Sequence, residues 1–195
     1  MPSSLIADLL KRLGNDGFIA GGYARERIHA ALIPEVDVPP AADIDVFPVR
    51  IPDLCRAVVS SSGWHYKSSL PHATVWTHPD SLLTLQVVGE PRGDVRSTLI
   101  DFDYCASMYA LSSQREGFVA TWDDNAPEDN KRRRLTLNCT TNPAGMIFRA
   151  LKYAQKGYTL PVGTLYRLLD TFSDDPQRYL GYLDELSYGR TGVRS

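Results

Sequence analysis

The chain has 195 residues, of which 43% are hydrophobic and 23% are charged, and its net charge is −2. This composition is typical of a globular protein and excludes a disordered polyelectrolyte. A surface that binds polyanions over its whole extent is also excluded, so a contact with nucleic acid would have to come from a local basic patch.

Cysteine and histidine give no sign of a disulfide framework or of a zinc site. The three cysteines are far apart and odd in number, which favours reduced thiols in a cytoplasmic compartment. The four histidines do not have the spacing of zinc ligands. No apolar run approaches the ~20 residues of a membrane span, and the first residues lack the basic segment of a signal peptide. We therefore expect a cytoplasmic protein.

The first predicted elements are a helix, a strand and a second helix. Before Gly14, apolar residues recur with helical spacing at Leu5, Ile6, Leu9, Leu10 and Leu13. The short apolar strand Phe18–Ala20 then leads to two consecutive glycines, Gly21 and Gly22. The second helix is predicted from about Tyr23 to Leu32.

The two glycines favour a phosphate site. Glycine lets a ligand approach the backbone closely, and the N-terminus of a helix attracts phosphate. Arg25 lies three residues beyond Gly22, where it could reach an anion held at the turn. The alternative is that Gly21 and Gly22 only pack the helix on the strand. A dinucleotide-binding turn is a weaker match, because its third glycine is missing.

The most informative strand is Asp43-Ile44-Asp45-Val46-Phe47, in which acidic and apolar residues alternate. Alternate side chains of a strand share a face, so Asp43 and Asp45 point the same way while Ile44 and Val46 point into the core. Two neighbouring carboxylates repel each other and need a cation or strong donors. Magnesium takes carboxylate oxygens together with substrate phosphates, so this pair predicts a metal site.

A helix beginning at Pro52 and ending near Gly63 is followed by three predicted strands, Trp64–Leu70, Ala73–His78 and Leu82–Val88. We expect these strands to continue an antiparallel sheet from the acidic strand. Residues 99–106 alternate as well, which predicts a further strand with Asp101 and Asp103 on one face. Another strand is predicted at residues 118–121, followed by an exposed acidic loop over 122–130.

Two basic features follow. The run Lys131, Arg132, Arg133 and Arg134 could hold a nucleic-acid backbone, or it could be a solvated turn whose charge offsets the preceding acids. A helix capped by Asn142 and ending at Gly157 carries a basic stripe of Arg149, Lys152 and Lys156. That stripe is either a phosphate or RNA contact or the solvent face of an amphipathic helix. Residues 162–186 show further helical spacing.

Together these motifs resemble the nucleotidyltransferase superfamily of the DNA polymerase β type. The segment Gly21-Gly22-Tyr23-Ala24-Arg25-Glu26 looks like the turn of the CCA-adding and poly(A) polymerase branch, with Glu26 where aspartate is usual. The segment from Arg149 to Ala154 is similar to one that follows the catalytic head of those enzymes. Other details, around Gln86 and Lys156-Gly157-Tyr158, resemble viral relatives.

The resemblance implies an α+β fold with a mixed, mostly antiparallel sheet, flanking helices and a C-terminal helical tail. Residues 1–125 would form the nucleotidyltransferase core and residues 126–195 a helical extension packed on it. Asp43 and Asp45 would bind Mg²⁺ with a third carboxylate, for which Asp103 is favoured over Asp101. Gly21, Gly22 and Arg25 would bind the nucleotide, assisted by Arg149 and Lys152.

The implied reaction transfers a nucleotide from an NTP to a hydroxyl acceptor such as RNA or tRNA. RNA would contact the basic run and the helix, at Lys131, Arg132, Arg133, Arg134, Arg149 and Lys152. Two alternatives stay open at this point: a catalytically idle module of the same fold used for binding or assembly, and a toxin-type nucleotidyltransferase. A viral source would place the protein in the host cytoplasm.

Overall fold

The computed structural model describes residues 3–115, 117–174 and 176. Their strands are β1 Gly17–Ala20, β2 Asp43–Pro48, β3 His65–Leu70, β4 Ala73–Thr77, β5 Thr84–Val88, β6 Tyr109–Gln114 and β7 Gly117–Trp122. Their helices are α1 Ser4–Leu13, α2 Gly22–Leu32, α3 Pro52–Ser61, α4 Val95–Ile100, α5 Ala126–Lys131, α6 Pro143–Ala154 and α7 Val162–Asp174. None of these helices is long and apolar enough to cross a membrane.

The strands form one sheet in the order β3-β4-β5-β2-β1-β6-β7. All neighbours are antiparallel except β2 and β5, which run parallel. The predicted antiparallel continuation from the acidic strand is therefore wrong at this junction. The reason is that α3 and the β3–β4 pair form a crossover connection, which returns the chain to the edge of β2 in the same direction.

The two faces of the sheet are covered differently. Ile44 and Val46 of β2 are buried in the main core together with side chains of α1, α2 and α3. Phe47 of β2 packs on the opposite face, in a cluster that includes Leu99 of α4. The alternation predicted for β2 is confirmed, since Asp43 and Asp45 are half-buried while Ile44 and Val46 are fully buried.

Two local predictions are wrong. Residues 99–106 are not a strand: α4 ends at Ile100, and a 3₁₀ turn follows at Cys105–Ser107. The side chain of Asp94 accepts a hydrogen bond from Ser97 N at 2.8 Å and so caps α4, whose last two residues are the first two of the predicted strand. The expected exposed loop over 122–130 contains α5, because Ala126 at its start is fully buried in the main core.

The C-terminal segment has a small core of its own. Met146 and Ala150 of α6 pack with Leu168 of α7 and with Tyr104 and Leu135. The predicted cap of α6 is confirmed, since Asn142 accepts a hydrogen bond from Gly145 N at 3.0 Å. The helical spacing predicted beyond residue 176 lies outside the described residues. The proposed division at residue 125 stays a prediction.

Candidate active site

A cleft of about 420 Å³ opens at the end of β1, on the face of the sheet that carries the acid pair. Gly21, Gly22 and Asp45 line its sheet side. Asp101 and Asp103 line it from the turn after α4, and α6 closes it with two further side chains. Those two side chains are Arg149 and Tyr153.

The glycine turn is open toward the cleft. Gly21 has φ +84°, a conformation that glycine adopts without strain, and its N–H donates to the carbonyl of Tyr109 at 2.9 Å. A Cβ atom at Gly21 would lie 3.8 Å from Asp45 Oδ2, so the carboxylate of Asp45 faces the turn. A Cβ atom at Gly22 would meet no atom of the described part of the chain within 4 Å. The backbone is therefore accessible at Gly22, where α2 begins.

The two carboxylates of β2 are held differently. Gln86 of β5 donates from Nε2 to Asp43 Oδ2 at 2.9 Å. The side chain of Asp45 receives no hydrogen bond and no ion pair from the described residues. Burial raises the pKa of Asp45 to about 7, and the charge of Asp43 adds to this shift.

This donor set fits a divalent metal ion. Asp45 is a partly buried carboxylate to which no described residue donates, and the charge of neighbouring Asp43 disfavours its ionisation. A hard cation at this pair would offset both the burial of the Asp45 carboxylate and its repulsion by Asp43. Mg²⁺ commonly uses one or two carboxylates completed by water and phosphate oxygens. The described residues contain no group of three or more histidine, cysteine or acidic side chains close enough to share a metal ion.

Asp103, the favoured third carboxylate, is paired with an arginine of α6. Its Oδ2 accepts a hydrogen bond and ion pair from Arg149 Nε. Burial raises the pKa of Asp103, and the Arg149 guanidinium opposes that shift. Asp101 is exposed at the C-terminal end of α4. Both acids lie in the cleft wall, on a turn rather than on the strand that the sequence predicted.

Arg25 does not line the cleft. It is fully buried, donates from Nη2 to the carbonyl of Pro39 at 3.3 Å, and places its guanidinium carbon 5.8 Å from the ring centre of Tyr153. Its Nε and Nη1 atoms have no hydrogen-bond partner among the described residues. Arg25 therefore lies against an aromatic ring of the cleft wall, and its predicted contact with the nucleotide stays a prediction.

The basic run is largely neutralised by neighbouring acids. Its three arginines form ion pairs: Arg132 with Glu128, Arg133 with Asp37, and Arg134 with Asp129. Lys131 is exposed at the end of α5. Of the predicted basic stripe on α6, Arg149 lies in the cleft wall, while Lys152 is exposed outside it.

Sequence analysis missed three side chains of the site as site residues. Gln86 contacts Asp43, and Arg92 and Tyr153 line the cleft. The sequence carries a signal for Gln86, a polar residue between the apolar Leu85 and Val87 of a predicted strand, and for Tyr153, which lies in the segment that resembles CCA-adding enzymes. Arg92 lies in a segment without periodicity, so only the tertiary structure brings it to the cleft.

This architecture matches part of the fold of solved CCA-adding enzymes. An apo CCA-adding enzyme superposes with a TM-score of 0.63 at 14% identity, over 93% of this chain and 46% of that one. A tRNA nucleotidyltransferase complexed with a primer tRNA and an incoming ATP analog gives 0.56 at 16% identity, over 81% and 46%. The Thermotoga maritima CCA-adding enzyme complexed with tRNA gives 0.58 at 16%, over 87% and 42%.

The chain spans less than half the length of these structures. At such low identities the likeness establishes the fold alone. No family model matches the sequence, and no curated protein matches it either. The resemblance inferred from the glycine turn and the acid pair is confirmed at the level of the fold.

Proposed function

We propose that the chain is a metal-dependent nucleotidyltransferase that moves a nucleoside monophosphate from an NTP to a hydroxyl acceptor and releases pyrophosphate. One observation carries the proposal: Asp45 Oδ2 lies beside Gly21 in the wall of one cleft at the end of β1, at 3.8 Å from the position of a Cβ atom on that glycine. The fold supports it, because solved structures of the same architecture include nucleotidyltransferases bound to nucleotides.

In this proposal the acid pair binds the metal ion and the glycine turn binds the phosphates of the NTP. Asp43 and Asp45 are the metal ligands, and bound Mg²⁺ would neutralise the triphosphate and lower the pKa of the acceptor hydroxyl. The N–H of Gly21 is already bonded to Tyr109 O, so the amide at Gly22 and the first turn of α2 are the donors for phosphate. Gly21 itself shapes the turn through its positive φ.

Asp103 remains ahead of Asp101 as the third carboxylate. Its side chain is mostly buried and its pKa is raised, which suits a group that accepts a proton, whereas Asp101 is exposed. Its ion pair with Arg149 has to open before Asp103 accepts a proton or a metal. A triphosphate in the cleft would attract the Arg149 guanidinium and so favour that opening.

We place the acceptor on the α6 side of the cleft. Arg149 and Tyr153 line the wall there, and Lys152 extends the positive charge along the helix. Guanidinium groups bind phosphates, and aromatic rings stack on unpaired bases, so this wall suits a single-stranded RNA end. The arginines of the run 132–134 are weaker candidates, because each is paired with an acid.

The test is incubation of the protein with each labelled NTP, Mg²⁺ and total cellular RNA. The double variant Asp43→Asn/Asp45→Asn keeps the size of both side chains and should abolish label transfer. Asp8→Asn/Asp124→Asn is the matched control, because it changes the net charge equally at two exposed sites. Transfer that survives in the first variant would contradict the proposal, and the labelled product would identify the acceptor.

The ion pair between Asp103 and Arg149 favours one alternative, a catalytically idle module of the same fold. In an idle module this pair would be permanent and would serve stability alone. Calorimetry with NTP separates the two functions. An idle module should show no Mg²⁺-dependent NTP binding and should tolerate Asp45→Asn, whereas the enzyme should lose NTP binding in that variant.

A further inference from the structure

We propose that Gln86 is a positioning residue of the acid pair, whose amide fixes Asp43 while Asp45 is left open to the cation. This inference rests on the proposed function, because it assumes that Asp43 and Asp45 bind a divalent metal ion. It assigns a role to a neutral side chain on β5 that does not itself have to touch the substrate.

The parallel pairing of β2 and β5 brings Gln86 to the pair. In the register of these strands Asp45 is the Cα partner of Gln86, and Asp43 is the partner of Thr84. Leu85 and Val87 are fully buried in the main core, so Gln86 projects from the opposite face, where the acids lie. From there its Nε2 reaches Asp43 Oδ2 at 2.9 Å.

An amide is the side chain that suits this position chemically. A carboxylate on β5 would add a third negative charge to two that already repel each other. A lysine or arginine would neutralise the pair and compete with the metal ion. The amide of Gln86 donates a hydrogen bond without changing the charge, so it orients Asp43 and leaves the negative charge of the pair intact.

The pair is consequently asymmetric. Asp43 has one oxygen fixed by Gln86, whereas Asp45 lines the cleft without a donor from the described residues. Hydrogen bonds that orient metal ligands in this way are typically worth about 10- to 100-fold in metal affinity. Removal of the amide should therefore weaken metal binding without removing a ligand.

The test is Mn²⁺ binding in the absence of nucleotide, followed through the electron paramagnetic resonance signal of the free ion. Gln86→Met keeps the length of the side chain and removes the donor, and it should raise the Kd by about 10- to 100-fold. Thr84→Val is the control, because Thr84 is on the same strand and face and its side chain has no hydrogen bond among the described residues. Its Kd should equal that of the wild type.

A second readout separates positioning from a general loss of structure. In metal-free protein with ¹³C-labelled aspartate, the side-chain carboxylate resonance of Asp43 should move in Gln86→Met and stay in place in Thr84→Val. Unchanged melting temperatures would show that both variants are folded.

The outcomes are distinct. If Gln86→Met binds Mn²⁺ as the wild type does, or leaves the Asp43 resonance unmoved, the positioning role is wrong while the proposed function stands. If Asp43→Asn/Asp45→Asn binds Mn²⁺ as well as the wild type does, the metal site fails and both proposals are overturned.

Discussion

The guanidinium of Arg149 on α6 forms an ion pair with the carboxylate of Asp103, in the turn that follows α4. The contact joins residues 46 positions apart in the chain and makes α6 part of the cleft wall. The Asp103 side chain is 10% exposed and the Arg149 side chain is 40% exposed. The degree of burial of this ion pair is therefore intermediate between that of a surface salt bridge and that of a buried one.

The first prediction concerns this pair. A double-mutant cycle with Arg149→Met and Asp103→Asn should give a coupling free energy of about 1–2 kcal/mol by urea unfolding, between the values of exposed and buried pairs. The cycle isolates the pair from the other interactions of Arg149. The pair of Arg132 and Glu128 is exposed, and its coupling should be about 0.5 kcal/mol or less. Equal couplings in both cycles would contradict the prediction.

The second prediction compares the two glycines of the turn. Gly21→Ala forces a side chain into φ +84° and should lower the free energy of unfolding by about 1–2 kcal/mol. Gly22→Ala places its Cβ in open space at the first position of α2, where alanine has the higher helix propensity. Its stability should equal or exceed that of the wild type. Thermal and urea unfolding of both variants decide this, and equal losses in the two would count against the conformation described for Gly21.

The third prediction follows from Asp45, whose pKa of about 7 lies above the value of about 4 expected in the unfolded chain. Between these values the folded protein binds the proton more tightly, so stability should fall as the pH rises from about 4 to about 7 and then level off. One pKa unit corresponds to about 1.4 kcal/mol, so the metal-free protein should lose several degrees of melting temperature.

Asp45→Asn removes this titration and should flatten the pH profile of the melting temperature over the same range. Asp124→Asn, at an exposed site, should leave the profile of the wild type unchanged. A slope that persists in Asp45→Asn would assign the titration to another group.

The fourth prediction tests the structural interpretation of the basic run. Asp129 is 1% exposed and accepts hydrogen bonds from the guanidinium of Arg134 and from both the N–H and the hydroxyl of Thr136. Asp129→Ala leaves these donors unpaired and should cost about 3–5 kcal/mol in urea unfolding. Asp37→Ala removes the partner of Arg133 at a side chain that is 95% exposed, and it should cost about 0.5 kcal/mol or less.

The sequence was sufficient for features that local rules determine. The alternation over residues 43–47, the glycine turn and the Asn142 cap each depend on a few neighbouring residues, and the fold confirms them. Glu26 occupies the position at which the family resembled in the sequence usually has aspartate. Its carboxylate accepts a hydrogen bond from Ala41 N at 2.6 Å and so connects the loop before β2 to α2. No local pattern predicts that contact.

The remaining features depend on contacts between distant parts of the chain. The strand predicted for residues 99–106 failed because alternation of acidic and apolar residues also arises where a helix end turns into a buried loop. β6 was missed because four of the five residues after Tyr109 are small or polar, so the strand shows no clear alternation of apolar and polar residues. Its register is set by pairing with β1 and β7. The pairing of Gln86 with the acid pair requires the crossover between β2 and β5.

Helix α5 limits how the polypeptide can be divided. Ala126 of this helix is fully buried in the main core. Asn130 donates hydrogen bonds to the carbonyl of Ala106 and to the hydroxyl of Tyr109, two residues that precede the predicted boundary at residue 125. A fragment that stops at residue 125 would lose these contacts and expose the hydroxyl of a fully buried tyrosine. Recombinant fragments cut at that point are therefore expected to be insoluble. A protease that nicks the intact protein there should leave its two pieces associated.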